Sequence, residues 1–364
     1  MSESLIGVFT TSPPSSNCSQ SDFAASTARV AQWSEKYGCT GTLVYTDNSM
    51  VDPWLVSEII LQNTKKLCPL VAVQPVYMHP YTVAKMATTL AFLHGRRIYL
   101  NMVAGGFKND LSALDDATPH DERYLRLVEY TTIIKRLLSS RAEISYEGKY
   151  YRIKNLKMTP PLPPGLMPGI FVSGSSDAGL AAARAMEATA IMYPRPALEC
   201  EHTTLPSDIP CGIRVGIIAR PDDEEAWSVA RQRFPGDRRG QLTHQLTMKT
   251  SDSVWHKHLS NLADENSGNN ETYWLWPFQN YKTFCPYLVG SHKRVVDEIS
   301  RYVALGNRTF IVDVPLFEED LFHTSAVFEK VSQRVCQSHG EDATSIQPPR
   351  PPQYGHTHSA IKVS

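Results

Sequence analysis

The feature that most constrains this chain is the alternation of two unlike segments, a short apolar run and then a helix-forming stretch. The runs lie at 5–9 (LIGVF), 41–45 (GTLVY), 70–77 (LVAVQPVY), 97–106 (RIYLNMVAGG), 169–174 (GIFVSG), 188–193 (ATAIMY), 212–220 (GIRVGIIAR) and 308–314 (RTFIVDV). A strand that is apolar on both faces belongs in a parallel sheet covered on both sides. Parallel strands need long crossovers, usually helical. Helices are expected near 22–37, 53–66, 80–95, 119–139, 176–187, 222–234 and 318–335, with HKRVVDEISRYVALG before the last strand. Asp52 before Pro53 marks one start, and Gly95 marks one stop. Such units over about 330 residues predict an α/β fold, a (β/α)8 barrel of the TIM type with insertions. A doubly wound open sheet is the alternative, weakened because no G-x-G-x-x-G follows the first strand.

Two insertions interrupt the rhythm. AEISYEGKYYRIKNLKM (142–158) alternates around Glu147-Gly148, which predicts a β-hairpin after the fourth helix. Residues 235–272 are polar, carry Gly236, Gly240 and Gly268, and show little periodicity. They are expected to be a mobile segment before the next strand, lying over the barrel mouth. From Gln337 the chain is rich in Pro, Ser and His. The expected organisation is one barrel domain over 1–336 and a disordered tail over 337–364.

Charge and cysteine content exclude several classes. Lys+Arg number 36 against 37 Asp+Glu, so there is no electrostatic footprint for nucleic acid or an anionic membrane. No apolar run approaches a membrane span, and MSESLIGVFTTSPPSS does not read as a signal peptide. Seven scattered cysteines with no C-x-x-C pair read as reduced thiols, which suits a cytoplasmic protein. His256 and His258 in WHKH have no acid or cysteine at close spacing, so they read as surface histidines and no metal site is expected.

Three polar constellations fall where strands end or helices begin. In PHDERYLRLVEY, His120 and Tyr124 share one face of a helix, with Thr118 as its N-cap and Pro119 just inside. In FVSGSSDAG, Gly174, Ser175 and Ser176 close a strand and open a helix, where free N–H groups and the helix dipole suit a phosphate. A Gly turn with a Ser N-cap is the plainer reading. In NMVAGGFKND, Asn101 and the glycines that follow end another strand, as Gln74 does in VQP. In a barrel all these points meet on the face formed by the strands' C-terminal ends.

The stretches GCTGTLVYTDNSMVDPWLV, LVAVQPVYMHPYTVAKMATTLAFLHGRRIYLNMVAGG, HDERY, YEGKYYRIK and PGIFVSGSSDAGLAAA, in this order, make the chain similar to the bacterial luciferase-like flavin monooxygenases. It most closely resembles their alkanesulfonate monooxygenase branch. The resemblance implies a (β/α)8 barrel using reduced FMN, delivered by a separate NAD(P)H-dependent reductase, with O2 as co-substrate. It implies that His120, Tyr124, Gly174, Ser175 and Ser176 meet the flavin phosphate, while Thr46, Gln74, Asn101 and Val103 line the ring and ribityl chain. The expected activity is insertion of one O2-derived oxygen into a small organic substrate other than a simple alkanesulfonate. A deazaflavin-dependent oxidoreductase of the same barrel superfamily and a non-catalytic flavin-binding protein are the alternatives. A homo-oligomer is compatible with either.

The chain departs from that branch on the substrate side. IRVGII keeps an arginine, Arg214, but has Gly216 where the branch has a histidine. VDVPLFEE has Pro315 and no tyrosine, and the arginine loop is replaced by NYKTFCPYLVG, in which Lys282 is a possible stand-in. Arg214 is expected to be catalytic, a fixed positive charge beside the reacting oxygen, with Gly216 leaving room for substrate. The plainer reading pairs Arg214 with Asp313.

Overall fold

The computed structural model describes residues 6–105, 107–200, 206–250, 259–260 and 272–341. The strands are β1 (Gly7–Thr11), β2 (Gly41–Val44), β3 (Cys68–Val73), β4 (Tyr99–Met102), β5 (Ile144–Glu147), β6 (Arg152–Leu156), β7 (Gly169–Ser173), β8 (Thr189–Met192), β9 (Cys211–Arg220), β10 (Tyr273–Trp274), β11 (Tyr287–Ser291) and β12 (Asn307–Val312). Parallel pairing in the order β1-β2-β3-β4-β7-β8-β9-β12 returns to β1 and closes a barrel. Each of its strands comes from one of the apolar runs, so the expected (β/α)8 architecture is the one formed.

The helices are α1 (Phe23–Lys36), α2 (Pro53–Asn63), α3 (Pro80–His94), α4 (Lys108–Ala113), α5 (His120–Ser139), α6 (Asp177–Met186), α7 (Asp223–Arg233), α8 (Arg238–Thr250), α9 (Trp276–Gln279), α10 (His292–Ala304) and α11 (Glu318–Glu341). Asp52 caps α2, its carboxylate accepting from the N–H groups of Trp54 and Leu55. Gly95 ends α3 in the left-handed region at φ 62°. The start of α5 differs from expectation. Pro119 is the N-cap, and the Thr118 hydroxyl turns away to Asp116 at 2.5 Å. His120 is therefore the first residue of α5.

Alternation along the strands sorts the side chains. Phe9, Leu43, Leu70, Phe171, Ile191 and Ile311 point inward and plug the barrel. The Phe9 ring packs edge-on against Tyr99 and Phe171, each at 5.2 Å. Gly41 is a glycine because a Cβ there would lie 2.8 Å from the Phe9 ring and closer still to the Cys68 carbonyl. Val71, Val73, Leu100 and Met102 belong to the outer layer with the buried faces of α3 and α5. The plug fills the interior with side chains, so it is a packed core and not a channel.

The hairpin is present as expected, β5 pairing with β6. Its turn docks on α5, where the buried Glu129 carboxylate accepts from the N–H groups of Lys149, Tyr150 and Tyr151. The segment 235–272 holds more structure than expected. Its start forms α8, fastened through the fully buried Asn280, whose side chain accepts from Asp237 N at 2.8 Å and donates to the Trp276 carbonyl. Residues 251–258 and 261–271, with His256 and His258, lie outside the described residues. Beyond this segment comes β11, which received no place in the sequence analysis. It pairs with the second half of β9, Gly216–Arg220, while the first half of β9 closes the barrel. The last helix, α11, runs past residue 336 to Glu341. Residues 342–364 lie outside the described residues. Among the described residues no helix is long and apolar enough to cross a membrane.

Candidate active site

Thr46, Gln74, Asn101, Val103, His120, Tyr124, Gly174, Ser175, Ser176 and Arg214 line one cleft at the C-terminal rim of the barrel, of ≈ 1110 Å³ with its open mouth included. They come from five strands or their following loops and from α5. Barrel closure brings them together.

One end of the cleft is built from two helix starts. Tyr124 is buried on α5, and its hydroxyl lies against Gly174, 2.5 Å from where a Cβ would stand. A side chain at position 174 would push the phenol away. The hydroxyl also bonds to Ser176, and burial raises the Tyr124 pKa above the usual tyrosine value. Ser176 caps α6, its Oγ accepting from Gly179 N at 3.1 Å. The plainer reading of that serine is thus correct, and the residue lines the cleft as well. His120 stands edge-on to Tyr124 at 5.3 Å and uses Nδ1 on Asp121 at 2.7 Å. Arg123, passed over in the sequence, is 4% exposed, reaches the same end and donates to the Thr118 carbonyl at 3.0 Å. Its signal was available: an arginine beside Tyr124 in the first turns of a buried helix.

The middle of the cleft is an amide and apolar shelf. Asn101 accepts from the Ser173 hydroxyl at 2.9 Å, and Val103 N–H bonds to the Val73 carbonyl, which extends the β3–β4 ladder to the rim. Gln74 touches the Tyr77 hydroxyl at 3.5 Å, and that hydroxyl donates to Asn48 at 2.8 Å. Burial pushes Tyr77 up to about 12, so it stays a neutral donor. Thr46 makes a long contact of 3.4 Å to the Asp47 carbonyl.

Arg214 stands further along the same wall, 9% exposed, with Nη1 3.5 Å from the Tyr193 hydroxyl and its guanidinium 5.4 Å from the centre of the Tyr45 ring. Its Nε is buried and has no hydrogen-bond partner among the described residues. Burial pushes Tyr45 up to about 12 despite the arginine. Burial disfavours the charge on Arg214 itself, but Tyr193, Cys285, the Asp313 carboxylate and Tyr45 together hold its pKa above the ordinary arginine value.

These features describe a cleft at the rim with a polar end at two helix starts and an apolar shelf beyond it. Residues 5–309 match the family described as luciferase-like monooxygenase. The chain belongs to the luciferase-like monooxygenases. It is 35% identical, over 86% of this chain and 93% of its relative, to 4-(gamma-L-glutamylamino)butanoyl-[BtrI acyl-carrier protein] monooxygenase BtrO from Niallia circulans. Riboflavin lyase RcaE, solved with modified FMN and riboflavin, shares the fold at 15% identity and TM-score 0.72, covering 92% of both chains. So does an F420-dependent secondary alcohol dehydrogenase solved with an F420–acetone adduct, at 16% identity and TM-score 0.61, covering 90% of this chain and 99% of that one.

Three expectations about the substrate side of this luciferase-like monooxygenase are corrected. Gly216 leaves no room beside Arg214. A Cβ there would lie 2.3–2.5 Å from the ring of Tyr287, its register partner on β11. Asp313 is not the arginine's salt-bridge partner, since among the described residues no such pair forms within 4.0 Å. Its carboxylate instead accepts from Thr283 at 2.7 Å and Tyr287 at 2.8 Å. Lys282 does not enter the cleft but pairs with Asp237 at 2.6 Å, and Phe284, two residues on, is the side chain that lines it. The lining residues Tyr45, Tyr193, Phe107 and Phe284 are aromatic, and nothing in their local sequence distinguishes them from core aromatics.

Proposed function

We propose that this monooxygenase binds reduced FMN, supplied by a separate NAD(P)H-dependent flavin reductase, and oxygenates an acyl chain rather than a simple alkanesulfonate. The observation that carries the flavin reading is the two-part cleft: hydroxyl, imidazole, guanidinium and two helix N-termini at one end, and an apolar shelf with buried amides beyond it. His120, Tyr124, Ser175 and Ser176 would hold the phosphate, with Gly174 keeping the backbone low enough for the Tyr124 hydroxyl to reach it. Thr46, Gln74, Asn101 and Val103 would flank the ring and its polyol chain. Bound reduced flavin supplies the electrons that split O2, so that one oxygen enters the substrate and the other leaves as water.

The protein's own part is positioning and electrostatics. Arg214 keeps a fixed positive charge in a largely dry wall, with Tyr45 under its face and one N–H still to be satisfied. Such a group stabilises negative charge that develops on oxygen or on a substrate carbonyl. Support for an acyl substrate comes from the monooxygenase BtrO, whose substrate is an acyl group on a carrier protein.

The test is anaerobic titration of the protein with reduced FMN and with reduced deazaflavin, followed by O2 and a panel of acyl thioesters. Tighter binding of FMNH2 and a product heavier by one oxygen are expected. Binding of the deazaflavin alone, with no O2 consumed, would transfer the chain to the oxidoreductase alternative. Tight flavin binding with no product from any thioester would leave the substrate class wrong.

A further inference from the structure

Phe107 follows β4, and Phe284 stands in the loop before β11, which is paired to β9. Around the barrel β4 and β9 are separated by β7 and β8, so the two loops approach from different sides of the rim. Both side chains line the cleft, and their rings meet with centroids 6.3 Å apart at 57°. Aromatic rings at that separation are in contact, so the pair bridges the mouth.

The bridge is held from behind. Tyr281 packs edge-on against Phe284 at 5.7 Å and has φ 54°, a left-handed conformation that a tyrosine adopts only under constraint. That constraint is visible on both flanks. Asn280 is fully buried and bonded to the start of α8, and Lys282 pairs with Asp237. On the far side Thr283 donates to Asp313 at 2.7 Å, which ties the loop to the end of β12. Phe284 is therefore carried on a fixed loop.

We propose that the Phe107–Phe284 bridge is the specificity-determining element of this monooxygenase, admitting an unbranched chain alongside the rings and refusing a substituent near the reacting end. The proposal rests on the acyl-substrate reading above. Among the described residues the paired rings line the same cleft as Tyr45 and Arg214, so a ligand that extends from there along the rings passes their edges. A straight methylene chain passes such an edge, whereas a branched or aryl group collides with it. A hydrophobic wall of this kind discriminates one added carbon by roughly 10–200-fold.

The experiment compares the parent enzyme with Phe284→Ala, Phe107→Ala and the conservative Phe284→Leu. Each is loaded with FMN and paired with a flavin reductase, and kcat/KM is measured for straight-chain and branched acyl thioesters. Iodide quenching of the bound FMN fluorescence is measured on the same samples and needs no substrate. The expected result is a rise of about tenfold or more in the branched-to-straight ratio in both alanine variants, with stronger quenching, while Phe284→Leu stays near the parent. Unchanged ratio and quenching in both alanine variants would overturn the bridge. Should the parent turn over no thioester, the acyl reading fails by itself, and the quenching alone decides whether the rings guard the cleft: stronger quenching supports the bridge, unchanged quenching overturns it.

Discussion

Tyr287 lies across the position where a side chain on Gly216 would stand. The two are register partners in the parallel β9–β11 pair, and the ring's Cε2 and Cζ are 2.3 and 2.4 Å from the place a Cβ would occupy. The same ring donates its hydroxyl to Asp313 at 2.8 Å, so it has no free direction to retreat. The glycine is there to seat a tyrosine, and the tyrosine links β11 to the end of β12.

Gly216→His is expected to destabilise the protein rather than reshape the substrate site. Overpacking a filled core position costs about 1–3 kcal/mol, and loss of the Tyr287–Asp313 bond would add to it. Differential scanning calorimetry should show a lower Tm, and Gly216→Ala combined with Tyr287→Ala should lose less than the sum of the two single variants. A Gly216→His variant as stable as the parent would show that the ring can move aside.

Tyr124→Phe and His120→Ala are expected to weaken reduced-FMN binding while leaving the fold intact. On the proposed reading each would remove one hydrogen bond to the phosphate, worth about 1.5–3 kcal/mol, which is roughly tenfold or more in affinity. Anaerobic titration measures this directly. Equal affinity in both variants and the parent would remove these residues from the phosphate end.

Arg214→Lys separates charge from shape. Lysine keeps a positive charge but loses the flat face that stacks on Tyr45 and the fork that reaches Tyr193. The expected outcome is slower product formation, by on the order of tenfold or more, with the affinity for reduced flavin little changed. Parent-like turnover would mean that the stacked geometry is not used.

The approach to α5 should carry an acid-sensitive share of stability. Burial alone would raise the Asp116 pKa, but hydrogen bonds from Arg126 and Thr118 hold it down to about 2, against an ordinary 3.8. A carboxyl with a depressed folded pKa stabilises fully above its unfolded value, and that contribution is lost as pH falls from about 3.8 towards 2. Urea denaturation between pH 5 and 2 should therefore show a steeper loss in the parent than in Asp116→Asn. Parallel curves would rule out a linked role for this carboxylate.

By itself the sequence determined the barrel. Apolar runs, helix starts such as Asp52-Pro53 and the stop at Gly95 are properties of neighbouring residues, and they survive in the structure because local preference and tertiary packing agree there. That His120, Tyr124, Gly174, Ser175 and Ser176 gather at one end of a cleft was legible for a related reason. Closing eight parallel strands places the ends of all of them on one face, so polar residues at those ends must meet. The substrate side was decided only by the tertiary structure. That Gly216 faces Tyr287 depends on the register between β9 and β11. That Asp313 serves Thr283 and Tyr287 instead of Arg214, and that Phe107 reaches Phe284, depends on loops that meet only after the barrel has closed. Strand register and loop contact are set by residues far apart in the chain, and no periodicity along the sequence encodes them.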